Sequence, residues 1–150
     1  METKPLENFA TWARKDLITQ VGARLDAVLA PGSTERVEHP GAVSALEREI
    51  DAEGGGAEGR KAVIDKVAYT WFNRIIALRF MDANGYTAAG IVSPPHGQEV
   101  GQPEILADAK RGLVDSAVVT NTRTRDTIQG LLDGTRPSTD PQGEAYALLL

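Results

Sequence analysis

The chain contains no cysteine. Disulfides, thiolate metal sites and a thiol nucleophile are therefore excluded. A zero count also fits a reducing compartment, and a cytoplasmic protein is expected. Histidine is scarce. His39 and His96 lie far apart in Pro- and Gly-rich stretches, and neither has the i, i+4 partner of a helical zinc site. They read as surface or loop-capping residues, not as metal ligands or acid–base groups. Long hydrophobic runs are missing too. The most apolar stretch is broken by Arg74 and Arg79, far short of a membrane span. The start, Met1-Glu2-Thr3-Lys4-Pro5, lacks the pattern of a secretory signal. No membrane partner is expected. Positive charge is in deficit: 16 Lys and Arg against 21 Asp and Glu give a net charge of −5. That is not the global signature of a nucleic-acid binder, so any DNA affinity of this stretch alone should be weak and salt-dependent.

What is present suits one globular domain over residues 1–150, with 41% hydrophobic and 25% charged residues. A chain of that length can bury roughly 68–70% of its unfolded surface without a covalent staple. The apolar spacing of Leu6, Phe9, Ala13, Leu17, Val21, Leu25 and Val28 predicts an amphipathic helix over 5–29, ended by Pro31-Gly32. Residues 33–41 read as a loop. Val43, Leu46 and Ile50 then predict a helix over 42–52, which Gly54-Gly55-Gly56 breaks. This glycine run reads as a linker: no strand precedes it and no Gly-Lys-Ser/Thr follows, so a phosphate loop lacks its context. Residues 58–84 are apolar nearly all round, which predicts a central core helix stopped by Gly85. Tyr86 is placed to fold back over its end. Residues 87–102 form a loop, and a short helix is predicted over 103–111. Over 113–119, Val118-Val119 admits a short strand, but the context favours helix. Further helices are predicted over 127–133 and from Asp140-Pro141 through Tyr146. No stretch alternates over strand length, so the chain reads as all-α.

No constellation for catalysis emerges. Ser93 lies near His96, but nothing resembles a nucleophile elbow. Glu47, Glu49 and Asp51 sit on a solvated helix face. Arg74 and Arg79, inside the most apolar helix, read as paired with carboxylates such as Asp82 or Asp65 in preference to a phosphate. Trp71 and Phe72 read as core residues, not a base-stacking platform. The densest basic region comprises Lys110, Arg111, Arg123 and Arg125, the last two within the polar run Thr120–Arg125. Hydroxyls, amides and guanidinia are the donors that grip phosphate oxygens. These four are the candidate DNA contacts, although a solvated loop is the more ordinary reading of the run.

Val67-Ala68-Tyr69-Thr70-Trp71-Phe72-Asn73-Arg74, continuing through Ala77-Leu78-Arg79-Phe80-Met81 to Asn84-Gly85-Tyr86, closely resembles the start of the PglX family. Ser93-Pro94, Gln102-Pro103-Glu104-Ile105-Leu106 and the opening helix extend the likeness over most of the chain. The family comprises adenine-specific DNA methyltransferases of BREX and phage-growth-limitation defence systems. The resemblance implies a parent enzyme that moves a methyl group from S-adenosylmethionine to adenine N6 in duplex DNA. Such an enzyme needs a Gly-rich cofactor loop and an Asn/Asp-Pro-Pro-Tyr/Phe loop around a flipped base. Neither is here, and Ser93-Pro94-Pro95-His96 lacks both the amide or carboxylate head and the aromatic end. No catalytic, cofactor or metal residue is therefore expected in this segment. The uncapped apolar ending Ala147-Leu148-Leu149-Leu150 suggests a helix that continues, with an α/β Rossmann-like methyltransferase domain expected after it. The expected partners are that domain, double-stranded DNA through the parent, and other defence proteins. The alternative is a free-standing helical adaptor that exposes Leu6, Phe9 and Leu17 of the first helix to a partner.

Overall fold

The structure, a computed structural model, describes residues 3–150. It is all-α. The described residues form seven helices and no strand: α1 Lys4–Leu29, α2 Thr34–Glu38, α3 Pro40–Ala52, α4 Gly56–Ala83, α5 Glu104–Lys110, α6 Thr122–Leu132 and α7 Pro141–Leu149. Two compact units share them, and the division falls inside α4, between Arg74 and Ile75.

In the first unit, Pro5 opens α1 in its first turn, where a missing N–H costs nothing. The stretch from Ser33 to Gly41, expected as a loop, is instead α2 followed by the start of α3. Ser33 is the reason. Its hydroxyl accepts the Arg36 N–H at 3.3 Å and donates to the Val28 carbonyl at 2.7 Å, capping one helix while tying off another. Arg36 secures the turn by donating to the Leu29 carbonyl at 2.9 Å and to Glu47 at 2.7 Å. Leu25, Ile50 and Val63 then bury together from α1, α3 and α4, flanked by Leu29, Leu46, Ile64 and Val67. The α3–α4 corner is made by Gly54, Gly55 and Gly56, all at positive φ. An L side chain is strained in that region, so three glycines in a row permit a reversal that other residues resist. The Gly55 N–H returns to the Ile50 carbonyl at 2.9 Å, a helix-ending bond.

Helix α4 departs from the expectation of a central core helix. Only Gly59, Val63 and Ala68 are buried on it. Trp71 and Phe72 are half-buried, and Ile75, Ile76, Phe80 and Met81 are exposed. An all-round apolar helix needs neighbours on every side. Its first half is covered on one side, at Gly59, Val63 and Ala68, whereas its last turns add no residue to the core of the second unit.

That second core gathers Leu106 and Ala109 from α5, Ile128 and Leu131 from α6, Ala145 and Leu149 from α7, and Val119. Residues 113–119 do not form the expected helix. Gly112 ends α5 at φ 81, and the Asp115 carbonyl takes both the Val118 and Val119 N–H groups in a turn. The Asp115 carboxylate accepts the Ala117 N–H as well; such local side-chain bonds compete with helix. Helix α6 starts five residues before the expected position because the Asn121 side chain caps it, accepting the Thr124 N–H at 3.2 Å. Asp140 caps α7 in the same way, through the Gly143 N–H at 3.0 Å.

Gly59 is the tightest point of the first unit. A Cβ there would sit well inside van der Waals contact with the Ile50 carbonyl oxygen, which is backbone and cannot swing away. Gly59→Ala is expected to lower stability by about 1–3 kcal/mol through overpacking. Gly41→Ala, in open space within α3, should be neutral or stabilising by about 0.5–1 kcal/mol. Urea titration followed by circular dichroism separates the two; equal midpoints for both variants would refute the close approach.

Candidate functional site

The most densely bonded polar site lies in the second unit and centres on Asp82, near the end of α4. One carboxylate oxygen accepts the Thr87 hydroxyl at 2.7 Å and the Ile91 N–H at 3.0 Å. The other accepts the Val92 N–H at 2.9 Å and the Ser93 hydroxyl at 2.8 Å. Ser93 is buried, and its oxygen also receives Arg79 at 2.8 Å. Glu104 grips the same segment from the start of α5. Its carboxylate accepts the Gly90 N–H at 2.8 Å, and its own N–H donates to the Ser93 carbonyl at 2.9 Å. Tyr146 of α7 donates its hydroxyl to the Ile91 carbonyl at 2.7 Å. Residues 90–93 are thus held by three helices without forming regular structure themselves.

The electrostatics follow from this geometry. Partial burial by itself would raise the Asp82 carboxyl, but the two backbone N–H groups and two hydroxyls outweigh it and hold the group below the ordinary carboxylate range. The Tyr146 phenol is pushed up, first by burial and then by the nearby Asp82 charge, so it stays a donor.

The four candidate DNA contacts are all in this unit, on or just after two helices, α5 and α6, that pack together. Lys110 ends α5 and donates to Gln102 at 2.7 Å and to Gln142 at 2.9 Å. Arg111 pairs with Asp108 one turn back. Arg123 and Arg125 lie on α6, not in a loop. Arg125 turns its guanidinium onto its own chain, bonding the Val119 carbonyl at 2.5 Å, the Thr120 carbonyl at 3.2 Å and the Thr122 hydroxyl at 3.2 Å. Arg123 is exposed. Three of the four spend donors within the chain.

No family model matches the chain, and no solved structure matches it. Among curated proteins it is similar to an adenine-specific methyltransferase, PglX, of Lacticaseibacillus casei (strain Zhang). The two are 30% identical over 133 aligned residues, covering 73% of this chain and 11% of the relative. This is a PglX-like segment. It spans only about a ninth of the length of the relative it matches, and the likeness read from Val67 onward is borne out.

Within the PglX-like segment, the two arginines of α4 take structural roles. Arg74 lies over the Trp71 ring, 5.3 Å from its centroid. Arg79 reaches Asp82 only through Ser93, so the expected carboxylate pairing is indirect. His39 bridges the end of α2 and the start of α3 through its backbone, and His96 is exposed in the loop. No group of three or more His, Asp or Glu suited to a metal ion occurs among the described residues. The Asp82–Ser93–Glu104 node was not singled out from sequence. Its one legible sign is an acid near the end of an apolar helix, which the sequence offers as a partner for Arg74 or Arg79.

Asp82→Asn is expected to cost about 1–3 kcal/mol, since an amide can replace only one of the two acceptor oxygens and leaves buried donors unmatched. The pH dependence has a definite sign. Because folding lowers the Asp82 pKa, its contribution is complete above the ordinary carboxylate range and is lost as pH falls through the depressed value. The gap between variant and parent should therefore be full at neutral pH and shrink in acid. Urea midpoints across pH check this; a gap that widens in acid would contradict it.

Proposed function

We propose that the chain is the N-terminal helical domain of a site-specific DNA adenine-N6 methyltransferase of a BREX-type phage defence system. In this reading it is not catalytic by itself, and it seats DNA or partner proteins for the rest of the enzyme. The observation that carries the reading is the 30% identity to PglX over 73% of the chain, with 11% of the relative covered. An alignment that short leaves most of a methyltransferase to other parts of the polypeptide.

The geometry supports placing the chemistry elsewhere. A nucleotide-type cofactor loop joins a strand to a helix, whereas Gly54–Gly56 joins helix α3 to helix α4. The residues here do not suit the S-adenosylmethionine site of such an enzyme. Ser93-Pro94-Pro95-His96 does not suit a base-holding loop either, because the Ser93 hydroxyl is buried between Asp82 and Arg79. Of the two seating roles, protein contact has more support than DNA contact. The net charge is −5, and Lys110, Arg111 and Arg125 are engaged within the chain.

A free-standing adaptor is the second reading, and the exposure of Leu6 and Phe9 on α1 favours it. The reading frame past Leu150 discriminates. A Gly-rich strand-to-helix loop followed by an Asn-Pro-Pro-Tyr-type motif is expected; an early stop codon would put the adaptor ahead. In the full-length enzyme, deletion of residues 1–150 should abolish or strongly reduce methylation of host DNA. Methylation that persists unchanged would sink the proposal. Arg123→Ala should change DNA affinity less than twofold if the protein-facing role is right, measured by filter binding at low salt.

A further inference from the structure

We infer that Asn84 is a site of spontaneous deamidation, and that the hydrogen bond from Thr87 to Asp82 across it sets its rate. The inference is independent of the methyltransferase reading above.

The sequence supplies the reacting pair. The asparagines are Asn8, Asn73, Asn84 and Asn121, and only Asn84 is followed by glycine. The next residue decides how readily an asparagine cyclises, because its backbone nitrogen is the nucleophile and its side chain hinders the approach. Gly85 has no side chain to hinder it. The Gly85 nitrogen attacks the side-chain carbonyl carbon of Asn84 and forms a C–N bond. The bond from that carbon to the amide nitrogen breaks, and ammonia leaves with the proton from the Gly85 nitrogen. Water then opens the resulting succinimide ring. Attack at the side-chain carbonyl leaves aspartate in place of Asn84. Attack at the main-chain carbonyl leaves isoaspartate, with an extra methylene in the backbone. Ammonia is lost, water is gained, and nothing is oxidised or reduced.

The fold holds this pair apart at the end of α4. Both residues are exposed, so water reaches them. The Gly85 N–H donates to the Asp82 carbonyl at 3.1 Å, and the Tyr86 N–H to the Met81 carbonyl at 3.0 Å. These are the paired returns that close a helix on a left-handed residue, here Gly85 at φ 67. The Asn84 side-chain amide donates to the Phe80 carbonyl at 2.8 Å. Nucleophile and electrophile are therefore engaged with different carbonyls. Ring closure needs both bonds broken and the intervening peptide rotated.

Helix ends open at little cost, so the cap alone is a weak guard. Asp82 strengthens it. Its carboxylate accepts the Thr87 hydroxyl at 2.7 Å, a bridge from two residues before Asn84 to three residues after it. The same carboxylate anchors Ile91, Val92 and Ser93. Rotation of the Asn84–Gly85 peptide pulls against this bridge. Conversion has a structural consequence as well. It removes the amide that serves the Phe80 carbonyl and puts a carboxylate at the negative end of α4, where charge of that sign is unfavourable. The isoaspartate product also displaces Gly85 and Tyr86 from their carbonyls, so the end of α4 is loosened permanently.

The test incubates the intact chain in mildly alkaline buffer and in urea, and reads amide-to-acid conversion by peptide mass spectrometry. Asn84 should convert in buffer roughly tenfold more slowly than in urea, where the cap is fully open. Asn8, Asn73 and Asn121 should stay intact over the same interval. Thr87→Val should raise the rate in buffer about threefold and leave the urea rate unchanged, because it deletes the bridge and not the reacting pair. Thr87→Ser, which keeps the hydroxyl, should restore the parental rate. A reading that needs no variant is hydrogen exchange, in which the Gly85 amide of the parent should be protected. Equal rates in buffer and urea, an unprotected Gly85 amide, or a Thr87→Val rate equal to the parent's overturns the gating by Asp82 and Thr87. An Asn84 that stays unconverted in buffer long after conversion in urea is complete overturns the site itself.

Discussion

A half-buried carboxylate has to be answered by donors, and in this chain Asp82 is answered by four. That demand organises everything between α4 and α5. A stretch of Pro- and Gly-rich sequence that could not pack as a helix is instead folded onto one charge, with its backbone N–H groups satisfied there. Glu104 and Tyr146 bind the same few residues from α5 and α7. The irregular segment is thereby joined to the three-helix core of its own unit.

The remaining charges are spent in a similar way. Arg36 closes the α1–α3 connection, Arg60 pairs with Asp26, and Lys66 with Glu49. Such exposed pairs add little to stability individually, and Arg14, Lys15, Arg48, Lys61, Arg123 and Arg136 stand exposed beside them. Apolar side chains are exposed as well. Leu6 and Trp12 are 67% and 64% exposed on α1, and α4 carries its own exposed aromatics.

Much of this was legible in the sequence. The long helices, their proline starts and their glycine stops follow from local rules that act within a few residues, and the fold class follows with them. The likeness to PglX rests on an aromatic-rich run long enough to be specific. Two kinds of feature were not legible. Caps hidden inside polar runs, Ser33 and Asn121, turned expected loops into helix. The extent of cover over α4 depends on what packs beside it, and an apolar helix looks the same in sequence whether its neighbours are present or not. The basic cluster was legible as composition, but whether Arg125 faces outward or binds the Val119 and Thr120 carbonyls is decided by how residues 119–121 lead into α6, which no residue count reveals.

The two hydrophobic cores share no residue, and the optical labels are not divided evenly between them. Both tryptophans, Trp12 and Trp71, belong to the first unit, while the second carries Tyr86 and Tyr146 but no tryptophan. Indole emission therefore watches only half of the molecule. The Asp82 node and the α5–α7 core carry no indole, so an unfolding curve recorded where tryptophan is excited alone watches the glycine-cornered half directly and the other only as far as the two unfold together.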